Sequence, residues 1–199
     1  NSNPSSSVGL YVHIPYCRRR CNYCDFAIVP IGSNSSNERM KYGFERMDTN
    51  YRQALLSEID IIRNTTQSKI RLQSIYFGGG TPSLAPLTTL NDIMHAIYKA
   101  DDAPFHLDDD AEITIEMDPG TFNITYLEGI KQIGFNRISM GVQSFDNDIL
   151  ETMGRVHRSK DVYDSVEMIG KVFGEESASY SIDLISGVPG LSLALWSET

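Results

Sequence analysis

Five short runs rich in β-branched and aromatic residues recur along the chain: Gly9–Ile14, Gln73–Phe77, Glu112–Met117, Asn136–Val142 and Ser179–Ile185. Between them lie apolar residues at helical spacing: Tyr51, Leu55, Leu56, Ile59 and Ile62; Leu90, Ile93, Met94 and Ile97; Leu127, Ile130 and Ile133. Two further helical stripes, Ile149, Leu150 and Met153, then Val162, Val166, Ile169 and Val172, precede the last run. Strands that alternate with helices imply an α/β fold whose sheet is parallel, because parallel neighbours need long crossover connections. Right-handed crossovers would curl such a sheet into a partial (β/α) barrel with its site in the loops after the strands. With 199 residues, 41% of them hydrophobic, the chain builds one core in one domain over residues 9–199. Residues 1–8 read as a disordered lead-in with neither signal nor transit character. The polar stretch from Ile31 to about Asp48 reads as a flexible loop, with Asp48 and Thr49 placed to cap the helix that follows.

All three cysteines, Cys17, Cys21 and Cys24, fall in a loop that starts at Pro15, where the first strand ends. Three thiolates at C-x3-C-x2-C spacing converge on one metal centre, whereas a structural zinc site or a four-cysteine cluster wants a fourth ligand from a second knuckle. The sequence has no such knuckle. A [4Fe-4S] cluster held by three cysteines keeps one iron free for a small molecule, so the loop reads as catalytic. Zinc with an outside ligand is the rival reading. Packing as three small hydrophobes is weaker, because Arg18, Arg19 and Arg20 between the first two cysteines do not all bury. Closely spaced, odd-numbered cysteines argue against a disulfide framework and for a reducing compartment: cytoplasm, or mitochondrion or plastid in an organelle-targeted form.

A formal net charge of -9 argues against a nucleic-acid surface. The arginine run is the local exception: either a solvated charge run or a means of balancing a cluster and attracting a carboxylate or propionate. No apolar run approaches the roughly 20 residues that span a bilayer. The Asn-x-Ser/Thr patterns at Asn34, Asn64 and Asn123 read as chance matches.

Gly78, Gly79 and Gly80 let the backbone come close to a ligand and present its N–H and C=O groups, or form a tight turn; no P-loop lysine follows. Glu116, alternating with Ile113 and Ile115 on its strand, points one carboxylate into the barrel top, toward either a ligand or a neighbouring Arg or Lys. His13 reads as a satisfied core residue; His95, His106 and His157 carry no motif, and none is assigned to metal.

The stretch Tyr11-Val-His-Ile-Pro-Tyr-Cys17 through Cys24-Asp-Phe26 resembles the radical S-adenosylmethionine (radical SAM) superfamily. It is most similar to the branch holding the HemW-type heme chaperones and oxygen-independent coproporphyrinogen III dehydrogenases. The likeness continues through Gly78-Gly-Gly-Thr-Pro-Ser83, Glu116-Met-Asp-Pro119, Asn136 to Phe145, and Asp183 to Pro189. It implies a radical SAM core with a [4Fe-4S] cluster on Cys17, Cys21 and Cys24. It also implies S-adenosylmethionine contacts at Tyr11, Tyr23, Gly79, Gly80, Thr81, Glu116, Gln143, Arg155 and Asp183. In that family an electron delivered through the cluster cleaves S-adenosylmethionine to methionine and a 5′-deoxyadenosyl radical. The resemblance further implies a flavodoxin- or ferredoxin-like electron donor, a heme or porphyrin ligand and a heme-accepting protein. The porphyrinogen dehydrogenases carry a further cysteine two residues after the third ligand, where this chain has Phe26. That difference favours heme binding and transfer over oxidative decarboxylation. The family core has six strands, so the sequence is expected to stop before its last strand and the C-terminal region, where most heme-binding residues would lie.

Overall fold

The structure, a computed structural model, describes residues 8–32 and 38–197, and for residues 38–40 the backbone alone. The lead-in, apart from Val8, and residues 33–37 of the expected loop lie outside the described residues. The chain begins with β1 (Val8–Ile14), then a short parallel pair, β2 (Tyr16–Cys17) and β3 (Val29–Pro30), that brackets the cysteine loop. Helix α1 (Glu38–Thr65) leads to β4 (Ile70–Gly79), and α2 (Leu87–Met94), prolonged by a π-helical turn over His95–Lys99, leads to β5 (Phe105–Met117). Then follow α3 (Ile124–Ile133), β6 (Arg137–Gln143), α4 (Asn147–Thr152), α5 (Ser159–Phe173), β7 (Ser179–Leu184) and α6 (Leu193–Ser197).

The five long strands form one parallel sheet in the order β1-β4-β5-β6-β7. That sequential order is the winding of an open (β/α) barrel; a doubly wound sheet reverses its strand order. Each expected strand appears: β1, β4 and β5 run longer than expected because the parallel ladder extends past the apolar run, β6 is shifted by one residue, and β7 ends one residue earlier. Central strands buried on both faces carry nearly continuous apolar sequence: Ile113, Thr114, Ile115 and Met117 of β5 are all buried. The stripe Leu90, Ile93, Met94 and Ile97 runs unbroken through α2 into the π-helical turn, each residue 1% exposed or less. Asn123, part of a pattern read as chance, is the cap of α3: its Oδ1 accepts from Tyr126 N at 2.9 Å.

One expectation is corrected. Helix α1 starts at Glu38, not after Asp48. Phe44 and Met47 pack against the core on the stripe continued by Tyr51, Leu55, Ile59 and Ile62. Asp48 therefore caps nothing. It lies mid-helix, 5% exposed, and accepts from Tyr16 Oη (3.0 Å) and Thr89 Oγ1 (2.6 Å). Thr49 turns its hydroxyl back to Glu45 O. Polar composition and Gly43 hid the first turns of this helix.

Candidate functional site

The cysteine loop leaves the end of β1 and is fastened by polar contacts to the backbone. Val29 N donates to Pro15 O, Ile31 N to Cys17 O and Gly32 N to Arg18 O, closing its base. Asn22 docks its far side on the end of α4, with its N–H on Met153 O (2.9 Å) and its Nδ2 on Thr152 O (2.8 Å). The arginine run serves a third role beyond the two expected. Arg18 donates to Gly120 O (2.8 Å), Arg19 to Arg155 O (2.9 Å) and Arg20 to Cys24 O and Phe26 O. The guanidiniums thus tie the loop to the turns after β5 and α4, and to itself.

The glycine turn meets the same loop from below. Gly80 N donates to Ile14 O (2.8 Å) and Thr81 N to Tyr16 O (2.6 Å), while Gly79 N donates to Glu116 Oε2 (3.0 Å). The N–H groups of Gly79 and Gly80 are thus bonded inside the protein, as the tight-turn reading has it. Their smallness serves close packing: a Cβ on Gly80 would lie 2.7 Å from the backbone of Pro15 and Tyr16, and Gly79 sits at φ 115° against the His13 ring. Thr81 Oγ1 reaches Cys17 Sγ at 3.4 Å.

Glu116 is held by two donors, Tyr76 Oη (2.9 Å) and Gly79 N, and no salt bridge reaches it among the described residues. Burial and this carboxylate push the Tyr76 phenol up to about 12. Tyr11 stacks on Tyr76 (centroids 6.2 Å apart) and bonds His13 Nδ1 at 3.1 Å, while His13 Nε2 reaches Ala27 O. The satisfied His13 thus spans from β1 to the cysteine loop. Gln143, at the end of β6, has φ 67°, and is the only non-glycine with positive φ among the described residues. Such strain concentrates at functional sites. Asp183 on β7 accepts Ser139 Oγ at 3.3 Å.

Arg155 is 8% exposed. Its Nη2 pairs with Asp118 Oδ1 and donates to Gly141 O (2.7 Å); its Nη1 reaches Tyr23 Oη (3.4 Å) and Cys21 Sγ (3.7 Å). Burial raises the Cys17 thiol, Thr81 opposes that shift, and the proximity of Cys24 and Cys21 adds to it. Burial likewise raises the Tyr23 phenol against the pull of Arg155.

All these expected residues line a single cavity of about 350 Å³, within the roughly 300–1,000 Å³ range of small-molecule pockets. Around it stand Tyr11, the three cysteines, Tyr23, Gly79, Gly80, Thr81, Glu116, Gln143, Arg155 and Asp183. Residues that sequence reasoning left without a role share the lining: Met117, Asp118, Ser139 and Gly141 among them. Asp118 lies inside a quoted motif, two residues after Glu116. His157, buried at 2% and 3.4 Å from Arg155 Nη2, had no signal at all.

The donor set suits a cluster. The three thiols are free, the proximity of Cys24 and Cys21 helps push the Cys17 thiol up, and Cys17 and Cys21 have a hydroxyl and a guanidinium within reach of sulfur. Among the described residues, no three His, Cys, Asp or Glu side chains close on one metal ion. No helix among the described residues is long and apolar enough to cross a membrane.

Comparison with known proteins agrees with this architecture. The profile of the radical SAM superfamily matches residues 11–198. The chain is 41% identical over 189 residues to the heme chaperone HemW of Synechocystis sp., covering 95% of this chain and 42% of that protein. It is 30% identical over 184 residues to the oxygen-independent coproporphyrinogen III oxidase of Paracoccus denitrificans, covering 92% of this chain and 37% of that one. Among solved structures, Escherichia coli coproporphyrinogen III oxidase (HemN), described as a radical SAM enzyme, superposes with a TM-score of 0.79 at 26% identity. It covers 99% of this chain and 41% of that one. The chain thus spans about two fifths of the length of such relatives. By profile, by sequence and by fold, the chain belongs to the radical SAM superfamily.

Proposed function

We propose that Cys17, Cys21 and Cys24 hold a [4Fe-4S] cluster, that S-adenosylmethionine occupies the adjoining cavity, and that the protein works as a heme chaperone of the HemW type. The observation that carries this reading is the convergence of the three thiols, the glycine turn, Glu116, Gln143, Arg155 and Asp183 on one cavity at the strand ends. When bound, the cluster supplies single electrons and an iron able to take the amino and carboxylate groups of S-adenosylmethionine.

The chain's own residues bind and orient. Glu116, fixed by Tyr76 and Gly79, has acceptor capacity for ammonium or hydroxyl groups. Arg155 brings a buried positive charge to the carboxylate end. Asp183 accepts from Ser139 Oγ at 3.3 Å, its one hydrogen bond among the described residues, and so has acceptor capacity left for a ligand. Tyr11 and Phe26, 55% and 66% exposed, form an apolar lip over the cavity. A flat, largely apolar macrocycle suits such a lip, and heme or porphyrin is the ligand class that the relatives' names suggest.

Porphyrinogen decarboxylation is the second reading, supported by the Paracoccus and Escherichia coli relatives. Anaerobically reconstituted protein is titrated with heme, and in parallel incubated with coproporphyrinogen III, reductant and S-adenosylmethionine before chromatography. Heme binding without protoporphyrinogen is expected. Protoporphyrinogen formed at catalytic turnover would overturn the chaperone assignment.

A further inference from the structure

Arg155 has more partners than a simple anion anchor needs, and their arrangement has a direction. Its Nη2 is enclosed by three acceptors: the Asp118 carboxylate, Gly141 O at 2.7 Å and His157 Nδ1 at 3.4 Å. His157 Nε2 donates to Val142 O (3.0 Å), which leaves Nδ1 as the unprotonated nitrogen of a neutral ring. A neutral imidazole accepts from a guanidinium; an imidazolium would repel it. Asp118 is itself held, because its N–H donates to Ser83 Oγ (3.2 Å) and Thr121 Oγ1 donates to its carbonyl (2.6 Å). Ser83 belongs to the glycine motif, so two motif segments meet behind Arg155.

With Nη2 fixed, the rest of the planar fork has little freedom. Nη1 falls on Tyr23 Oη and Cys21 Sγ, and Nε is buried without a partner. The cysteine side is held in register too: Asn22, next to Cys21, donates to Met153 O, two residues before Arg155. Cys17 meets the Thr81 hydroxyl, whereas Cys21 meets a cationic donor, the Arg155 Nη1.

We propose that Asp118 and His157 clamp the Arg155 guanidinium so that its Nη1 donates to the Cys21 sulfur, which makes Arg155 a donor that sets the reduction potential of the cluster. This rests on the cysteines holding that cluster. Reduction adds negative charge to the cluster and its thiolates. A cationic donor on one sulfur stabilises the reduced form more than the oxidised one and raises the potential. Arg155 touches the cluster's ligand; Asp118 and His157 act through it as positioning residues.

The test is an anaerobic redox titration of the reconstituted protein, followed by electron paramagnetic resonance without S-adenosylmethionine. It compares the unmodified protein with Arg155→Gln, Arg155→Lys, Asp118→Asn and His157→Gln, at measured iron and sulfide content. Arg155→Gln is expected to weaken reduction by at least about tenfold, a fall of about 59 mV for one electron. Arg155→Lys recovers part of the fall, and Asp118→Asn and His157→Gln shift the same way by less. A merely structural role would change melting and cluster yield but leave the potential in place. Equal potentials in Arg155→Gln and the unmodified protein overturn the inference. So does loss of the cluster from His157→Gln protein, whose Arg155 is intact, since a tuning contact is not needed for ligation. An unmodified protein that takes up no four-iron cluster defeats the functional reading itself, whereas a cluster indifferent to all four substitutions defeats only this step.

Discussion

The cysteine loop and β7 both bring residues to the cavity, and they are held in opposite ways. The loop has few buried side chains, yet nearly every segment of it is tied to a neighbouring backbone: at Pro15, Cys17 and Arg18 by its own return strand, at Gly120, Thr152, Met153 and Arg155 by side chains and N–H groups. Strand β7 pairs with β6 on one side, but Tyr180, Ile182 and Leu184 are 36–43% exposed. Fixed geometry at the cysteines therefore comes from polar tethers, whereas Asp183 rides on a strand with little apolar burial to hold it. Burial alone is a poor guide to which part of a site is rigid.

Perturbations should scale with that difference. The largest effect is expected for Gly80→Ala, whose new Cβ meets the Pro15 and Tyr16 backbone at 2.7 Å. Backbone cannot swing aside, so a loss near the upper end of about 1–3 kcal/mol is expected by chemical denaturation, together with reduced iron uptake. A fully stable variant would show that the glycine turn and the loop are not in contact.

Next comes Asp48→Ala, which strands the hydroxyls of Tyr16 and Thr89 beneath the loop's root. About 1–3 kcal/mol is expected, and less for Asp48→Asn, which keeps an acceptor. Equal losses in the two variants would mean that packing, not hydrogen bonding, is what Asp48 supplies.

Acid should weaken the clamp side of the site. Burial first, and the Arg155 charge second, lower His157 from 6.5 to about 4. The unfolded chain then takes up its proton before the folded one does, so stability from this residue is complete above about pH 6.5 and is lost as pH falls toward about 4. Melting curves across that window should be steeper for the unmodified protein than for His157→Gln. Parallel curves would contradict a neutral, buried ring.

The smallest effect belongs to β7. Ile182→Ser, at a side chain 39% exposed, is expected to change stability by no more than about 0.5 kcal/mol. A loss several times larger would erase the contrast between the two regions.

Much of this was legible in the residues. Five strands, their parallel order and the placing of the motifs at their ends follow from apolar period and from the connection lengths that parallel pairing requires. Each residue named from the family resemblance reaches the cavity, because motifs at successive strand ends of a sequentially ordered sheet are brought side by side. What sequence hid was contact-made. Asp48 looked like a cap because its two partners lie 32 and 41 residues away. His157 carried no local pattern; its meaning comes from Arg155, Asp118 and Val142 meeting around it. The arginine run read as solvated charge or as balance for a cluster, since nothing in a linear sequence announces that guanidiniums will find carbonyls on other loops.

The central claim is that three thiols bind a four-iron cluster with one iron open to S-adenosylmethionine. Electron paramagnetic resonance of the reconstituted, reduced protein, recorded with and without S-adenosylmethionine, tests it most directly. A [4Fe-4S] signal that changes on addition, and is absent from Cys17→Ala, Cys21→Ala and Cys24→Ala proteins, is the predicted result. A signal indifferent to S-adenosylmethionine, or stoichiometric zinc in oxygen-free preparations, would contradict it.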